Sequence, residues 1–142
     1  MPAVRRATKE DMPVIRDLLR GFRENHTPDF PHDFEYFSSL VEAVIDQPAA
    51  LILLLDEDQG ILVGMMLPTQ FSLQPVAQEL IWYTRKESDR RGIRLLKEYL
   101  NWAREKKSTH ALCALKHEHP LMERMGFNQV QVGYYKRLEY DE

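Results

Sequence analysis

The stretch ELIWYTRKESDRRGIRLLKEYLNWAR, residues 79–104, decides the fold expected of this chain. Its beginning completes a predicted strand over residues 78–85, which is rich in aromatic and β-branched side chains. The remainder belongs to the strongest helical pattern of the sequence, residues 91–107, where apolar side chains recur at three- and four-residue spacing. The predicted inner face of this helix consists of Ile93, Leu96, Leu100 and Ala103. A strand followed by an amphipathic helix is typical of a sheet covered by helices.

The turn between this strand and this helix is predicted to bind an anion. At a helix N-terminus the first backbone N–H groups point outward at the positive end of the helix dipole, and this geometry favours phosphate. Glycine allows a close approach to the backbone, and the forked guanidinium of arginine matches phosphate oxygens. The turn holds these residue types at Arg90, Arg91, Gly92 and Arg94. A solvated basic helix face is the alternative interpretation of the same residues.

Opposite charges are concentrated in different parts of the chain, although its net charge is only −3. Residues 24–84 contain ten acidic side chains and no lysine or arginine, whereas residues 85–107 contain nine basic and four acidic side chains. A protein that needs charge only for solubility usually mixes the two signs. We therefore expect one basic site for an anion and one acidic region that faces a cationic molecule.

Length and composition argue against several classes of protein. A chain of 142 residues that is 44% hydrophobic is expected to form one domain over residues 1–142. Its single cysteine, Cys113, excludes an internal disulfide framework and favours a reducing compartment. The longest apolar run, residues 49–55, is too short to cross a bilayer, and a pI near 6.0 does not favour binding of nucleic acid. We expect a soluble, cytoplasmic protein without membrane or nucleic-acid partners.

The rest of the chain alternates between extended and helical patterns. Helices are predicted after the capping residues Thr8 and Asp11, over residues 34–45 and over residues 120–125. Strands are predicted at residues 4–7, 51–55, 61–67, 110–115, 127–132 and 134–138. The fold class is therefore α/β, of the α+β kind, with a mixed sheet covered by helices.

The order of these elements resembles that of the GNAT superfamily of acetyl-CoA-dependent N-acetyltransferases, and the resemblance covers the whole chain. Specific similarities are VRRATKEDMPVIRDLL (residues 4–19), DEDQGILVGMM (residues 56–66) and the strand-to-helix unit over residues 83–94. The segment LMERMGF, residues 121–127, lies where the family has a short helix that ends in glycine and an aromatic residue. The chain also resembles the small GNAT-like proteins that bacteriophages encode.

The resemblance implies both a fold and a cofactor. The fold is a single GNAT domain with a mixed, mostly antiparallel sheet of about seven strands and about four flanking helices. Its central parallel pair, residues 78–85 and 110–115, is splayed so that acetyl-CoA inserts between the strands. The implied cofactor contacts are the backbone of Trp82, Tyr83 and Thr84 for pantetheine, and Arg90, Arg91, Gly92, Ile93 and Arg94 for the pyrophosphate.

The pyrophosphate signature of the family is Q/R-x-x-G-x-G/A, and this chain matches it in part. Gly92 takes the place of the first glycine, whereas Asp89 and Arg94 replace the first and last residues. Met122 stands where the family often has a tyrosine in the short helix. These departures keep a second hypothesis open, a catalytically inactive GNAT-like module that binds CoA or a protein.

Glu79 is the candidate general base. An amine with a solution pKa of about 10.4 must lose a proton before it attacks a thioester. Glu79 is the only acidic side chain in residues 76–84, and alternation along the strand places it on the face of Ile81 and Tyr83. A carboxylate at the strand end that faces water is the alternative interpretation.

Tyr134 is the candidate general acid, with Tyr83 and Tyr135 as alternatives, because Met122 cannot donate a proton. A coenzyme thiolate can also leave with water as the acid, since the proton affinity of a thiolate is modest.

The acceptor is expected beside the first two helices, where the resemblance places the acceptor side of the family. Asp29, Asp33 and Glu35 lie in this region and are predicted to bind substrate. The expected acceptor is a primary amine of a cationic small molecule or protein, acetylated by direct attack in a ternary complex.

Other conspicuous residues are expected to have structural roles. No metal is expected, because the spacing of the histidines does not match a metal site. A homodimer that uses the C-terminal hairpin is expected by analogy with the family. The histidines in question are His110, His117 and His119. A separate set of aromatic residues is predicted to lie in the core or to line a pocket: Phe30, Phe34, Tyr36 and Phe37.

Overall fold

The computed structural model describes residues 3–26, 29–116 and 118–140. These residues form a five-stranded sheet, four α-helices and two short 3₁₀ helices. The strands are β1 (Val4–Arg6), β2 (Ala50–Leu55), β3 (Gly60–Thr69), β4 (Ser72–Thr84) and β5 (Ala111–Leu112). The α-helices are α1 (Met12–His26), α2 (Phe34–Val44), α3 (Ile93–Glu105) and α4 (Pro120–Arg124), and the 3₁₀ helices Lys9–Asp11 and Lys86–Arg91 precede α1 and α3.

The strands of the sheet lie side by side in chain order, from β1 to β5. Three neighbouring pairs are antiparallel and are joined by turns or, between β1 and β2, by the helical segment. Only β4 and β5 are parallel, because α3 carries the chain back between them. The predicted mixed α+β sheet with one parallel pair is confirmed in this arrangement.

Two apolar layers cover the two faces of the sheet. On one face, α1 contributes Ile15, Leu18 and Leu19, all with no exposed surface, together with side chains of α2. On the other face, α3 packs with Leu95 and Leu96 against β2 and β3. Burial of each such side chain contributes roughly 1.5–3 kcal/mol to folding, so the amphipathic pattern of each helix fixes its position on the sheet.

The inner face of α3 differs in part from the predicted one. Leu96 and Ala103 are buried as expected, but Ile93 and Leu100 are only half-buried. Leu95, Tyr99 and Trp102 complete the buried stripe instead. The prediction was wrong there because it placed the centre of the apolar stripe at the wrong angle around the helix; the two aromatic rings of the observed stripe bury large apolar surfaces, which moves this centre toward them.

The pairing of β3 with β4 contains a β-bulge at Leu80. Val63 is opposite Ile81, but the next residue, Gly64, is opposite Glu79. A bulge adds one residue to one strand, so the side chains before and after it exchange faces of the sheet.

This exchange corrects the predicted direction of Glu79. Gly64, its partner across the strands, faces α3, since a Cβ at Gly64 would lie 3.1 Å from the ring of Tyr99. Ile81 and Tyr83 pack in the opposite layer, against α1 and α2. The expectation that Glu79 shares a face with Ile81 and Tyr83 is therefore wrong, because regular alternation holds only for a strand without a bulge.

The expected C-terminal hairpin is absent from the described residues, which contain five strands and not about seven. Residues 127–132 and 134–138 have no strand pairing, and Val130 and Tyr134 are 84% and 92% exposed. Two strands at these positions would leave Gly133 alone to form the turn, whereas the shortest common hairpin loops contain two residues. The parallel strand predicted at residues 110–115 is also shorter, with two residues in β5.

Candidate active site

The candidate active site lies where β4 and β5 separate. The two strands pair at Ala77 with Ala111 and at Gln78 with Leu112, and the ladder ends there. Ser108 fixes the start of the pair, because its Oγ accepts the N–H of Ala77 at 3.0 Å and donates to the carbonyl of His110 at 2.7 Å. From Glu79 to Thr84, β4 pairs with β3 on one edge but has no strand partner on the other edge within the described residues. This opening is the wedge, defined here as the space between residues 79–84 and the chain after β5.

Glu79 lies at the closed end of the wedge. Its carboxylate Oε1 accepts the backbone N–H of Ala114 at 3.1 Å, so the side chain crosses from β4 to the chain that leaves β5. The residue is 9% exposed. Burial raises the pKa of Glu79 from 4.5 to about 7, and the hydrogen bond from Ala114 offsets only part of this effect. A carboxyl group with a pKa near neutrality can both accept and release a proton at physiological pH.

Tyr99 and Cys113 surround this carboxylate. The hydroxyl of Tyr99 donates to the carbonyl of Leu112 at 2.8 Å, at the last paired residue of β5. Burial and the nearby Cys113 and Glu79 raise the pKa of Tyr99 above its usual value. Burial and the charge of Glu79 raise the pKa of Cys113 to about 12, so its thiol stays protonated. The site is therefore a largely buried cluster of three titratable groups, of which Glu79 alone titrates near neutral pH.

Sequence reasoning did not select Tyr99 as a site residue. The sequence did contain a signal for it. Tyr99 continues the buried stripe of α3 and carries a hydroxyl group, and buried tyrosines usually find a hydrogen-bond partner.

The basic turn at the start of α3 contains two kinds of arginine. Arg90 and Arg94 are exposed, and no ion pair or hydrogen bond of their side chains is formed within the described residues. Arg91 is engaged, because it donates to Asp56 Oδ2 and to Ser88 Oγ, both at 2.6 Å. Arg90 and Arg94 are thus the guanidinium groups that remain available to an anion.

Gly92 fits closely against the end of β4. A Cβ at this position would lie 2.8 Å from Cγ2 of Thr84, and the carbonyl of Gly92 accepts the indole N–H of Trp82 at 3.2 Å. Asp89, the unexpected carboxylate of the turn, accepts the hydroxyl of Thr84 at 2.9 Å. Packing against Thr84 therefore explains the glycine, and the turn is held against the strand whose free edge lines the wedge.

The predicted general acid lies elsewhere. Tyr134 is on the C-terminal segment with 92% of its surface exposed, and no contact joins it to Glu79 in the described part of the chain. Tyr135 contacts Phe30 edge to face at 5.5 Å, and the ring of Tyr83 packs against Gly21 of α1. The structure does not bring any of these three tyrosines to the carboxylate of Glu79.

Each predicted acidic substrate contact has a partner within the chain. Asp29 pairs with Arg137 at 3.0 Å, and Glu35 pairs with Arg16 at 2.6 Å. Asp33 is the N-cap of α2, because its side chain accepts the N–H of Tyr36. Asp33 therefore caps α2, Glu35 ties α2 to α1, and Asp29 ties the connection between these helices to the C-terminal segment.

The described histidines of the C-terminal third of the chain, His110 and His119, form local hydrogen bonds. His119 is the N-cap of α4 and accepts the N–H of Leu121 at 3.1 Å, while His110 contacts the hydroxyl of Thr109 at 2.9 Å. His117 lies outside the described residues.

Within residues 3–26, 29–116 and 118–140 no group of three or more His, Cys, Asp and Glu side chains is arranged to hold a metal ion. None of the helices in these ranges combines the length and apolar character that a membrane span requires.

The sequence and the structure give different results in comparisons with known proteins. No protein-family model and no curated protein matches the sequence. Solved structures do match. Aminoglycoside antibiotic 6'-N-acetyltransferase AAC(6')-Ih from Acinetobacter baumannii superposes with a TM-score of 0.70 at 18% identity, over 99% of this chain and 100% of that chain.

Two further matches were solved with coenzyme derivatives. AAC(6')-Iy in complex with the bisubstrate analogue CoA-S-monomethyl-acetylneamine has a TM-score of 0.73 at 14% identity, over 99% of both chains. A predicted acetyltransferase from Clostridium acetobutylicum, solved with acetyl-CoA, has a TM-score of 0.74 at 15% identity, over 99% of this chain and 96% of that chain. This chain has the fold of the GNAT acetyltransferases.

Proposed function

We propose that this protein is an N-acetyltransferase that moves the acetyl group of acetyl-CoA to a primary amine. The observation that carries the proposal is the buried carboxylate of Glu79, whose pKa is about 7, at the point where the parallel strands separate. The similarity of the fold to acetyltransferases supports acetyl transfer as the type of reaction. The position of a proton acceptor beside a free strand edge supports deprotonation of an attacking amine at this site.

The wedge and the basic turn fit acetyl-CoA. The free edge of β4 at Trp82, Tyr83 and Thr84 offers backbone N–H and carbonyl groups to the amides of a pantetheine arm. The exposed guanidinium groups of Arg90 and Arg94 offer donors to a diphosphate, whereas the N–H of Gly92 already donates to the carbonyl of Asp89 at 3.2 Å, so Gly92 and Ile93 are proposed to line the diphosphate site by close approach of the chain. Arg91 holds the turn in place through Asp56. When bound, acetyl-CoA supplies an activated acyl group as a thioester.

Glu79 is proposed to accept the proton of the attacking amine. The amine nitrogen forms a bond with the acetyl carbon, the bond from this carbon to sulfur breaks, and the thiolate leaves with the electron pair. The proton of the amine moves to the carboxylate of Glu79, directly or through one water molecule. A base with a pKa near 7 is half ionised at neutral pH, so it is available as an acceptor and returns the proton to solvent afterwards.

The leaving thiolate is proposed to take its proton from water. Thiolates are stable leaving groups, because their conjugate acids have modest pKa values, so a dedicated acid is not required. Tyr134 stays a prediction for this role, and its exposure to solvent does not favour it.

An assay of thiol release tests the proposal. The wild-type protein with acetyl-CoA and a panel of primary amines is expected to release free CoA, and Glu79→Gln is expected to lower kcat by roughly 10²- to 10⁴-fold. Glu98→Gln, at an exposed position of α3, is the matched control and should leave kcat unchanged. Release at the wild-type rate by Glu79→Gln would exclude Glu79 as the base.

The second candidate function is a binding module without catalysis. The observation that favours it is the C-terminal segment, which exposes a series of large apolar side chains available to a protein partner. These are Val130, Val132, Tyr134, Tyr135, Leu138 and Tyr140. Calorimetry that shows acetyl-CoA binding without turnover of any amine would favour this module over the enzyme.

A further inference from the structure

An aromatic pocket opens between the end of α1 and the start of α2. Its volume is about 560 Å³, within the range of small-molecule sites. The side chains that line it are mostly aromatic and include three with large exposed fractions, Phe30 at 53%, Tyr36 at 64% and Leu40 at 47%. The lining is completed chiefly by Phe22, Phe34 and Phe37. Because exposed aromatic surface of this extent is costly in water, a ligand that covers it gains affinity from burial.

We propose that this pocket binds the apolar body of the acceptor, and that the acceptor class is an arylalkyl primary amine. The proposal rests on the acetyl transfer proposed above and adds the chemistry that selects the substrate. In this proposal the protein recognises the acceptor by apolar contact with its ring and not by its positive charge.

The pocket is connected to the wedge through the last two turns of α1. Gly21 lies against Tyr83 of β4 so closely that a Cβ there would be 2.5 Å from the phenol oxygen. Asn25, one turn later, accepts the side-chain amine of Lys116 through its carbonyl at 3.1 Å. The same helix end therefore contacts both β4 and the chain after β5, the two sides of the wedge. Phe22 lies between these contacts and lines the pocket.

Charge around the pocket is largely neutralised, so it offers little to a cationic body. The carboxylate of Glu35 is held by Arg16, and that of Asp29 is held by Arg137. Two guanidinium groups also lie over the Phe34 ring, Arg20 at 4.5 Å and Arg16 at 5.2 Å from its centre. Because Arg16 and Arg20 are themselves paired with Glu35 and Asp17, these contacts leave little net charge to attract a polycation, and the amino group of a monoamine is proposed to lie toward the wedge.

The polar groups at the rim are few and already engaged. Arg23 contacts Nε2 of His32 at 3.2 Å, and Asp33 accepts the N–H of Tyr36 at 3.2 Å. An aminosugar placed in this pocket would lose water from several hydroxyl groups against a lining that is mainly apolar, which costs free energy for each hydroxyl group left without a partner. A phenyl ring loses nothing comparable and gains contacts with the aromatic lining.

The test compares 2-phenylethylamine, ethylamine and glucosamine as acceptors in the thiol-release assay. We expect kcat/KM for 2-phenylethylamine to exceed that for ethylamine by at least about tenfold, the lower end of the selectivity that an apolar pocket achieves for small groups. Tyr36→Ala should raise KM for 2-phenylethylamine by about three- to tenfold and change the constants for ethylamine much less, because ethylamine has no ring for Tyr36 to contact. Phe71→Ala, at an exposed aromatic residue on the tip of the β3 to β4 hairpin, is the matched control.

Two results would overturn the inference while the enzyme remains active. One is glucosamine or ethylamine as good an acceptor as 2-phenylethylamine, and the other is an equal effect of Tyr36→Ala on both amines. Tyr36 is largely exposed, so its truncation is not expected to unfold the protein.

Calorimetry separates this inference from the proposed function. If no amine is acetylated, the proposed function fails. Direct titration of the protein with 2-phenylethylamine then shows whether the pocket binds an arylalkyl amine. Saturable binding that weakens in Tyr36→Ala but not in Phe71→Ala supports the arylalkyl ligand, and the absence of binding overturns it.

Discussion

Replacing Glu79 by glutamine is expected to stabilise the folded protein above neutral pH while removing most of its activity. The carboxylate is buried, and its pKa in the folded protein is about 7 against 4.5 for an ordinary glutamate. The folded state therefore holds a proton on Glu79 between these two pH values, whereas the unfolded chain does not. Stability from this group is complete below about pH 4.5 and is lost as the pH rises through 7.

The size of this effect follows from the two pKa values. Their difference of about 2.5, from 4.5 to about 7, corresponds to roughly 3 kcal/mol that the ionised carboxylate costs the folded state at alkaline pH. Glutamine avoids this cost and keeps an oxygen for the N–H of Ala114. Its amide NH₂ group must lose water on burial, and this cost offsets about 1–2 kcal/mol of the gain. A net gain of about 1–2 kcal/mol remains at about pH 8.

Urea unfolding of the wild type, Glu79→Gln and the control Glu98→Gln at several pH values between about 4 and 8 measures this effect. The free energy of unfolding of Glu79→Gln, relative to the wild type, should rise by roughly 3 kcal/mol across this range, whereas the control should show no such rise. A difference that stays constant with pH would show that Glu79 is not held at a raised pKa, and the assignment of the general base would lose its physical basis.

Three further predictions concern the cofactor turn, the contact of α1 with β4 and the N-terminal ion pairs. The double substitution of Arg90→Ala and Arg94→Ala should raise KM for acetyl-CoA by about tenfold or more and flatten its dependence on salt, because each charge-assisted hydrogen bond contributes roughly 1.5–3 kcal/mol; an unchanged KM would place the diphosphate elsewhere. Gly21→Ala should lower the free energy of unfolding by about 1–3 kcal/mol, because the new Cβ would lie 2.5 Å from the phenol oxygen of Tyr83, and thermal melting that matches the wild type would contradict this packing. Asp11→Asn should destabilise the protein by about 1–2 kcal/mol at neutral pH in urea titrations, with a loss that disappears at low pH. The reason is that hydrogen bonds from an arginine and from the backbone lower the pKa of Asp11 to about 2, so its contribution is present above pH 3.8 and is lost below 2.

Local patterns predicted most of the framework correctly. All four α-helices and the β2 to β3 hairpin occur where apolar periodicity and turn residues place them, since each depends on side chains close together in sequence. The strand-to-helix junction at Gly92 was also predicted from local residues. The structural reason for the glycine is less local, because a Cβ there would collide with Thr84, eight positions earlier.

The features that were missed depend on pairing between distant segments. The bulge at Leu80 is a property of β4 in register with β3, so alternation in one strand could not reveal that Glu79 faces α3. The hydroxyl of Tyr99 is satisfied by the carbonyl of Leu112, a partner that exists only after the chain has returned to the sheet.

The acidic region shows the same limit for charge. Asp29 was predicted to face a cationic substrate, because no basic residue is near it in sequence. Its partner, Arg137, is 108 residues away along the chain. Segregation of charge in a sequence therefore indicates complementary surfaces, and these surfaces can be neutralised within the same molecule.

Calorimetric titration of the protein with acetyl-CoA tests the central claim most directly, since every chemical step depends on the coenzyme in the wedge. The account predicts one saturable site, weakened in the double variant of Arg90 and Arg94, and a stabilisation of about 2.7 kcal/mol at a free concentration of about a hundred times Kd. The absence of heat together with an unchanged melting temperature at such concentrations would contradict it.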